Sequence, residues 1–95
     1  MNIWLTAVIK TKPEYREEVL AVLQHMVQET RKEEACLLYD LHQGTTDKDL
    51  FVFYEIWKNQ EGLDAHNRQP YIAAFAALAA GKLAEAPQIY LTEKI

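Results

Sequence analysis

"LFVFYEIWKNQEGLDAH", Leu50–His66, changes period part-way along, and that change decides the fold class. Over Leu50–Trp57 the side chains alternate: Phe51, Phe53, Glu55 and Trp57 share one face, and Leu50, Val52, Tyr54 and Ile56 share the other. That is the period of a strand. From about Asn59 the pattern turns polar and helical, so a strand hands over almost directly to a short helix.

Upstream, "ACLLYDLHQ" is joined to this strand by a polar, glycine-containing segment over Gly44–Asp49, the signature of a β-hairpin. Between the opening run "NIWLTAVIK" and that hairpin lies "TKPEYREEVLAVLQHMVQETRKEE". Here Tyr15, Val19, Leu23, Met26, Val27 and Thr30 recur at helical spacing, which predicts a long amphipathic helix. Pro13 suits its first turn, and Glu14, Glu17 and Glu18 complement the positive end of the helix dipole. Downstream, Pro70 forbids one continuous helix and predicts a restart. The alanine-rich segment then runs to about Ala80, with Tyr71, Phe75, Leu78 and Ala79 as its apolar stripe and Gly81 as the expected cap. A last strand, "QIYLTEK", follows Pro87.

The order strand, helix, strand, strand, helix, strand predicts an α+β, ferredoxin-like fold, a four-stranded antiparallel sheet with its helices on one face. The whole of residues 1–95 reads as a single domain. Ile3, Leu5, Ala7 and Ile9 form one face of the first strand, yet Trp4, Thr6 and Val8 on the other are also largely apolar. Helices on one side leave that second face bare, so a homodimer that buries it is expected.

The formal charge of −4 comes from 14 acidic residues against 10 Lys plus Arg, with the bases dispersed and no stripe to track phosphates. Nucleic acid is therefore not an expected partner. The apolar stretch Tyr71–Gly81 is too short to span a bilayer, no signal-peptide pattern is present, and the cytoplasm is the expected compartment. A single cysteine, Cys36, excludes an internal disulfide and reads as a buried thiol. There is no phosphate loop, dinucleotide fingerprint or paired CxxC, and no cofactor is expected.

The histidines His25, His42 and His66 lack metal-ligand spacing, and no metal site is expected. His42 lies on the same strand face as Asp40, an ordinary cross-strand position. His25 sits at the edge of the long helix's stripe, either on the surface or turned towards a cavity beneath the helix, where it would contact substrate. His66 follows the strand bearing Glu55 and Trp57. It reads either as a proton-exchanging residue tuned by a carboxylate or as a bridge across the helix break. Trp57 and Phe53 read as core, or as the walls of a site for a flat organic ligand. Glu55 reads as a hydrogen-bond acceptor in such a site or as part of an interfacial ion pair.

Three stretches in this order, the long first helix leading into "KEEACLLYDL", then "FVFYEIWKNQEGLDAH", then "QPYIAAF", resemble the antibiotic biosynthesis monooxygenase domain family over Ile3 to about Leu91. The resemblance implies a ferredoxin-like homodimer whose sheets form a dimeric α+β barrel, with a pocket in each protomer between sheet and helices. It implies one of several activities: cofactor-independent oxygenation of quinols or polyketide aromatics, haem degradation, or isomerisation of a phosphorylated signal-breakdown product. The closest flavour is that of the small bacterial quinol-monooxygenase-like and signal-isomerase-like members.

Trp57 matches the family tryptophan at the end of the third strand, Glu55 the acidic position before it, and His66 the histidine of the short helix. The segment Pro70–Phe75 with Tyr71 matches the aromatic helix beside the pocket. No histidine falls in Ala73–Ala80, where the haem-degrading branch carries its ligand. Phosphate recognition would fall to the dispersed Lys10, Lys12, Arg31 and Arg68.

The resemblance thus implies oxidation of a small quinol or phenolic compound by molecular oxygen. His66 would be the base, Glu55 would orient it, and Trp57, Phe53, Tyr71 and His25 would contact substrate. An isomerase of a small hydroxyketone and a non-catalytic dimeric binding protein stand as alternatives.

Overall fold

The computed structural model describes all of residues 1–95. Its elements are β1 (Ile3–Lys10), a 3-10 turn (Pro13–Tyr15), α1 (Arg16–Thr30), β2 (Cys36–Gln43), β3 (Leu50–Trp57), α2 (Gln60–Asn67), α3 (Pro70–Lys82) and β4 (Gln88–Thr92). The strands form one antiparallel sheet in the order β2-β3-β1-β4, the ferredoxin-like arrangement.

The expected dimeric α+β barrel is corrected: the sheet is open. β2 is bonded only to β3 and β4 only to β1, so both are edges, and no β2–β4 ladder closes the four strands on themselves. Apolar character on both strand faces reports what a face can pack against and says nothing of closure, which requires the edge strands to exchange backbone hydrogen bonds.

Register places the β3 residues Phe51, Phe53, Glu55 and Trp57 opposite Ile9, Ala7, Leu5 and Ile3 of β1, all towards the helices. Most of this face is buried, together with Val19, Leu23 and Met26 of α1 and Leu63 of α2. A bulge between Cys36 and Leu38 sets Tyr39 opposite Glu55, so Tyr39 also points inward. Trp4, Val8, Val52 and Ile56 on the opposite face are only half-buried, and Tyr54 and Tyr90 are exposed there.

Local chemistry explains the helix ends. Asn59 caps α2, its side chain accepting from Gly62 N–H at 2.8 Å. A Cβ on Gly62 would stand 2.2 Å from the Ala35 Cβ, so the glycine lets α2 close on the turn that precedes β2. Pro70 opens α3 at a position that needs no N–H donor. Gly81 is not the expected cap: α3 runs on to Lys82, no glycine has a positive φ, and extended Leu83 ends the helix. Lys12 Nζ donates to the Gly81 carbonyl at 2.9 Å and Lys12 N–H to the Lys82 carbonyl at 3.1 Å, which satisfies two of the carbonyls at that end without a glycine cap.

No residue of α3 is fully buried. Its half-buried Ile72 and Phe75 stand over the sheet and help wall the space that forms the site.

Candidate active site

Strand alternation turns Phe53, Glu55 and Trp57 towards the helices. Trp57 Nε1 donates to Glu55 Oε1 at 2.8 Å, which satisfies one carboxyl oxygen. Glu55 is 4% exposed. Burial pushes its carboxyl up to about 7, opposed by the Trp57 bond and reinforced by the negative charge of Glu33.

His66 lies on the buried side of α2, its ring 4.5 Å from the Trp57 ring and 5.5 Å from that of Tyr39. Nδ1 meets Glu33 Oε2 at 2.8 Å. The Tyr71 hydroxyl donates to the same oxygen. A carboxylate accepting two donors fixes the proton of a neutral imidazole on Nδ1 and leaves Nε2 with its lone pair free. Burial lowers the His66 pKa, outweighing the Glu33 hydrogen bond and charge, so the ring is neutral at pH 7. Burial and the Glu33 bond raise Tyr71, which therefore stays a phenol and a donor.

Between these groups and the sheet is a cavity of about 190 Å³. Leu5, Ala7 and Ile9 of β1, Ile72 and Phe75 of α3 and Ile89 of β4 supply much of its apolar wall; its polar side chains are Tyr39, Glu55, His66 and Asn67. Ile89 is half exposed, so the cavity opens beside β4. No lysine or arginine lines it. Lys10 pairs instead with Asp47 at 3.5 Å, and Arg31 binds the Tyr39 carbonyl and Asp40.

Phe53, Glu55 and His66 thus share one cavity. Trp57 does not line it but stands behind both polar groups, fully buried. Tyr71 and exposed His25 line a separate, more open groove between α1 and α3, their rings edge-on at 6.5 Å, and Tyr71 reaches the site through its hydroxyl on Glu33 and its ring, edge-on to that of His66 at 6.3 Å. His42 is exposed on β2. The Cys36 thiol is pushed up to about 11, chiefly by burial and then by Glu33 and Glu55, so it is protonated and no nucleophile.

The residue that sequence reasoning missed is Glu33. It lies in the turn between α1 and β2, where "KEE" looks like a solvated charge run. The one local hint is its place in the stretch that carries the family likeness.

Fold and cavity together define a small α+β protein that places a buried glutamate and a buried histidine at one apolar cavity beneath its helices. The chain belongs to the antibiotic biosynthesis monooxygenase family, whose profile matches residues 3–78. It is 40% identical over 75 residues to YcnE of Bacillus subtilis, named as a candidate monooxygenase, with 79% of each chain covered. It is 33% identical over 81 residues to the uncharacterized protein sll1783 of Synechocystis, matching 85% of this chain but spanning only 55% of that relative's length. The crystal structure of PA3566 from Pseudomonas aeruginosa superposes with a TM-score of 0.93 at 28% identity, covering 99% of this chain and 94% of that one. No helix is long and apolar enough to cross a membrane.

Proposed function

We propose that this protein is a cofactor-independent monooxygenase of a small quinol or phenolic compound, with His66 as the catalytic base. The observation that carries the reading is a neutral imidazole, clamped through Nδ1 by Glu33, that borders an apolar cavity with Nε2 unpartnered. His66 Nε2 takes the substrate's hydroxyl proton. The phenolate passes one electron to oxygen, the radical pair joins as a ring peroxide anion, and the proton held by His66 makes it a hydroperoxide. Neutral His66 then takes the proton of the ring carbon that bears the peroxide, and that C–H electron pair forms the new C=O as the O–O bond breaks. The departing hydroxide leaves as water with that proton, so one atom of O2 stays on the quinone. The protein's contribution is a dry cavity, orientation and a proton acceptor.

The cavity volume of about 190 Å³ is below the ~300–1,000 Å³ usual for drug-sized ligands, so a compound of one or two rings is the expected substrate. A phosphorylated hydroxyketone suits it poorly, because the walls offer no cation to pair with a phosphate dianion. Phe53 is the aromatic wall against which substrate packs, while Trp57 holds Glu55 and His66 in place.

The same reading makes the protein a homodimer in which a second copy covers the outward sheet face bearing Trp4, Tyr54 and Tyr90. That surface is apolar, half-buried to exposed, and covered by no element of its own chain.

The test is oxygen uptake with product mass for a panel of quinols and naphthols, under air and under nitrogen. Protein-dependent uptake above autoxidation, with a product carrying one more oxygen, is expected and is abolished in a folded His66→Ala variant. A mass-neutral product, or binding without turnover, overturns the oxygenase assignment.

A further inference from the structure

Glu55 makes no hydrogen bond to His66, whose Nδ1 partner is Glu33. It is nonetheless nine-tenths buried in the cavity wall, with Oε1 taken by Trp57 and Oε2 without a protein partner. His66 repeats the pattern, with Nδ1 taken and Nε2 free. One indole fixes both, since Trp57 bonds the carboxyl and packs at 4.5 Å against the imidazole. The two groups share no hydrogen bond or ion pair: the only carboxylate on His66 is that of Glu33. A buried acid and a buried base kept apart, each presenting one free polar atom to the same small apolar space, can act on two ends of one substrate.

We infer that Glu55 and His66 work as an opposed acid and base on small cyclic ketones, giving this site an oxygen-independent keto–enol tautomerase activity in which Glu55 is a catalytic acid. His66 Nε2 takes a proton from the carbon beside the carbonyl, and that C–H electron pair becomes the C=C bond. The carbonyl π pair moves onto oxygen, which takes the proton of the Glu55 carboxyl. The enol leaves behind an imidazolium held by the Glu33 carboxylate and an ionised Glu55, and the reverse transfers restore both. No oxidant is consumed.

The burial that raises Glu55 and lowers His66 keeps acid and base in the required forms over an overlapping pH range. The inference shares the base of the oxygenase reading and extends it. An enol is an electron-rich species of the kind that reacts with oxygen, so tautomerisation would prepare ketonic substrates for it.

The experiment is hydrogen–deuterium exchange at carbon, followed by proton NMR in D2O under nitrogen, with 2-tetralone and 1-indanone as probes. Exchange at the α-carbon of at least one probe well above the buffer rate is expected for the native protein. Glu55→Gln, which keeps an acceptor for Trp57, should lower it by about 100-fold, and His66→Ala by at least as much. Thermal melts and near-ultraviolet circular dichroism identify any variant that has lost its fold, and for that position Glu55→Met, which also removes the carboxyl, or His66→Gln replaces it. Buffer-level exchange with both probes, or exchange that survives loss of the Glu55 carboxyl, overturns the inference. Oxygen uptake on quinols is scored separately: uptake without exchange leaves the oxygenase reading alone standing, and exchange without uptake leaves the tautomerase alone.

Discussion

His66 Nδ1 and Glu33 Oε2 meet at 2.8 Å although 33 residues separate them in the chain, joining α2 to the turn that precedes β2. This contact decides which imidazole nitrogen is free and where it points. It also decides what the ring does when it gains a proton, since an imidazolium beside Glu33 is stabilised and one beside an apolar wall is not.

Replacing Glu33 by glutamine keeps the shape and removes the charge. The rate constant kcat on an accepted quinol should fall about 10- to 100-fold with little change in KM, the pattern of a lost positioning group. Glu33 opposes the downward shift of His66, so its loss should lower the imidazole pKa further and move the acid limb of the rate profile to lower pH. NMR titration of the His66 ring checks the sign. An unmoved pKa would show that the Glu33 contact is electrostatically idle.

Glu55 should give the fold a pH dependence of its own. Its carboxyl stands at about 7 in the folded protein against an ordinary 4.5. A raised carboxyl holds its proton more firmly when folded, so its contribution is fully present below 4.5 and is lost as pH rises towards and through 7. Glu55→Gln removes that loss. Relative to native protein, the variant should gain on the order of 3 kcal/mol between pH 4 and pH 8. Urea unfolding at both pH values measures it, and parallel curves for the two proteins would refute the shift.

How much of this was readable in the sequence follows from which forces are local. Alternation put Phe53, Glu55 and Trp57 on one face, and helical spacing found Val19, Leu23 and Met26, because both periods belong to a single element. The strand order then limited the sheet to very few topologies. Glu33 was invisible because its partner lies on another element and its neighbours are charged. Trp57 and Phe53 share a face, but only depth separates the residue behind the site from the one lining it, and depth depends on where α3 settles. Tyr71 and His25 were rightly placed on helices, yet their rings face the groove between α1 and α3. Apolar strands on both faces were legible, whereas barrel closure was not, because it depends on backbone pairing at two edges.

Trp57→Phe separates packing from hydrogen bonding. The ring that supports His66 is largely retained, while the donor to Glu55 Oε1 is lost. A buried carboxyl oxygen without its partner should cost about 1–3 kcal/mol. The Trp57 bond holds the Glu55 pKa down, so that pKa should rise further. Infrared or NMR titration of the Glu55 carboxyl tests this, and a downward shift would mean that the indole does not stabilise the charged form.

The outward sheet face gives a prediction about assembly. Tyr54 is 38% exposed and Tyr90 50%, on two strands that both flank β1, and both face away from the site. Tyr54→Lys with Tyr90→Lys should convert a dimer to a monomer in light scattering at micromolar protein while leaving circular dichroism unchanged, because neither side chain packs in the core. A native protein that already runs as a monomer would refute the dimer.

Ala7 tests the size of the cavity from its floor. It lies on central β1, is buried, and lines the space beside Phe53 and Ile89. Ala7→Leu extends an apolar side chain into unoccupied volume, so it should change stability less than the 1–3 kcal/mol usual for overpacking a filled core. It should also take a substantial share of the roughly 190 Å³ open to substrate. KM for a two-ring quinol should then rise at least about 10-fold, and less for a single ring, since a pocket distinguishes ligands by the volume it leaves them. Equal effects on both ring sizes would mean that substrate sits elsewhere, and the α1–α3 groove beside His25 and Tyr71 would be the place to look.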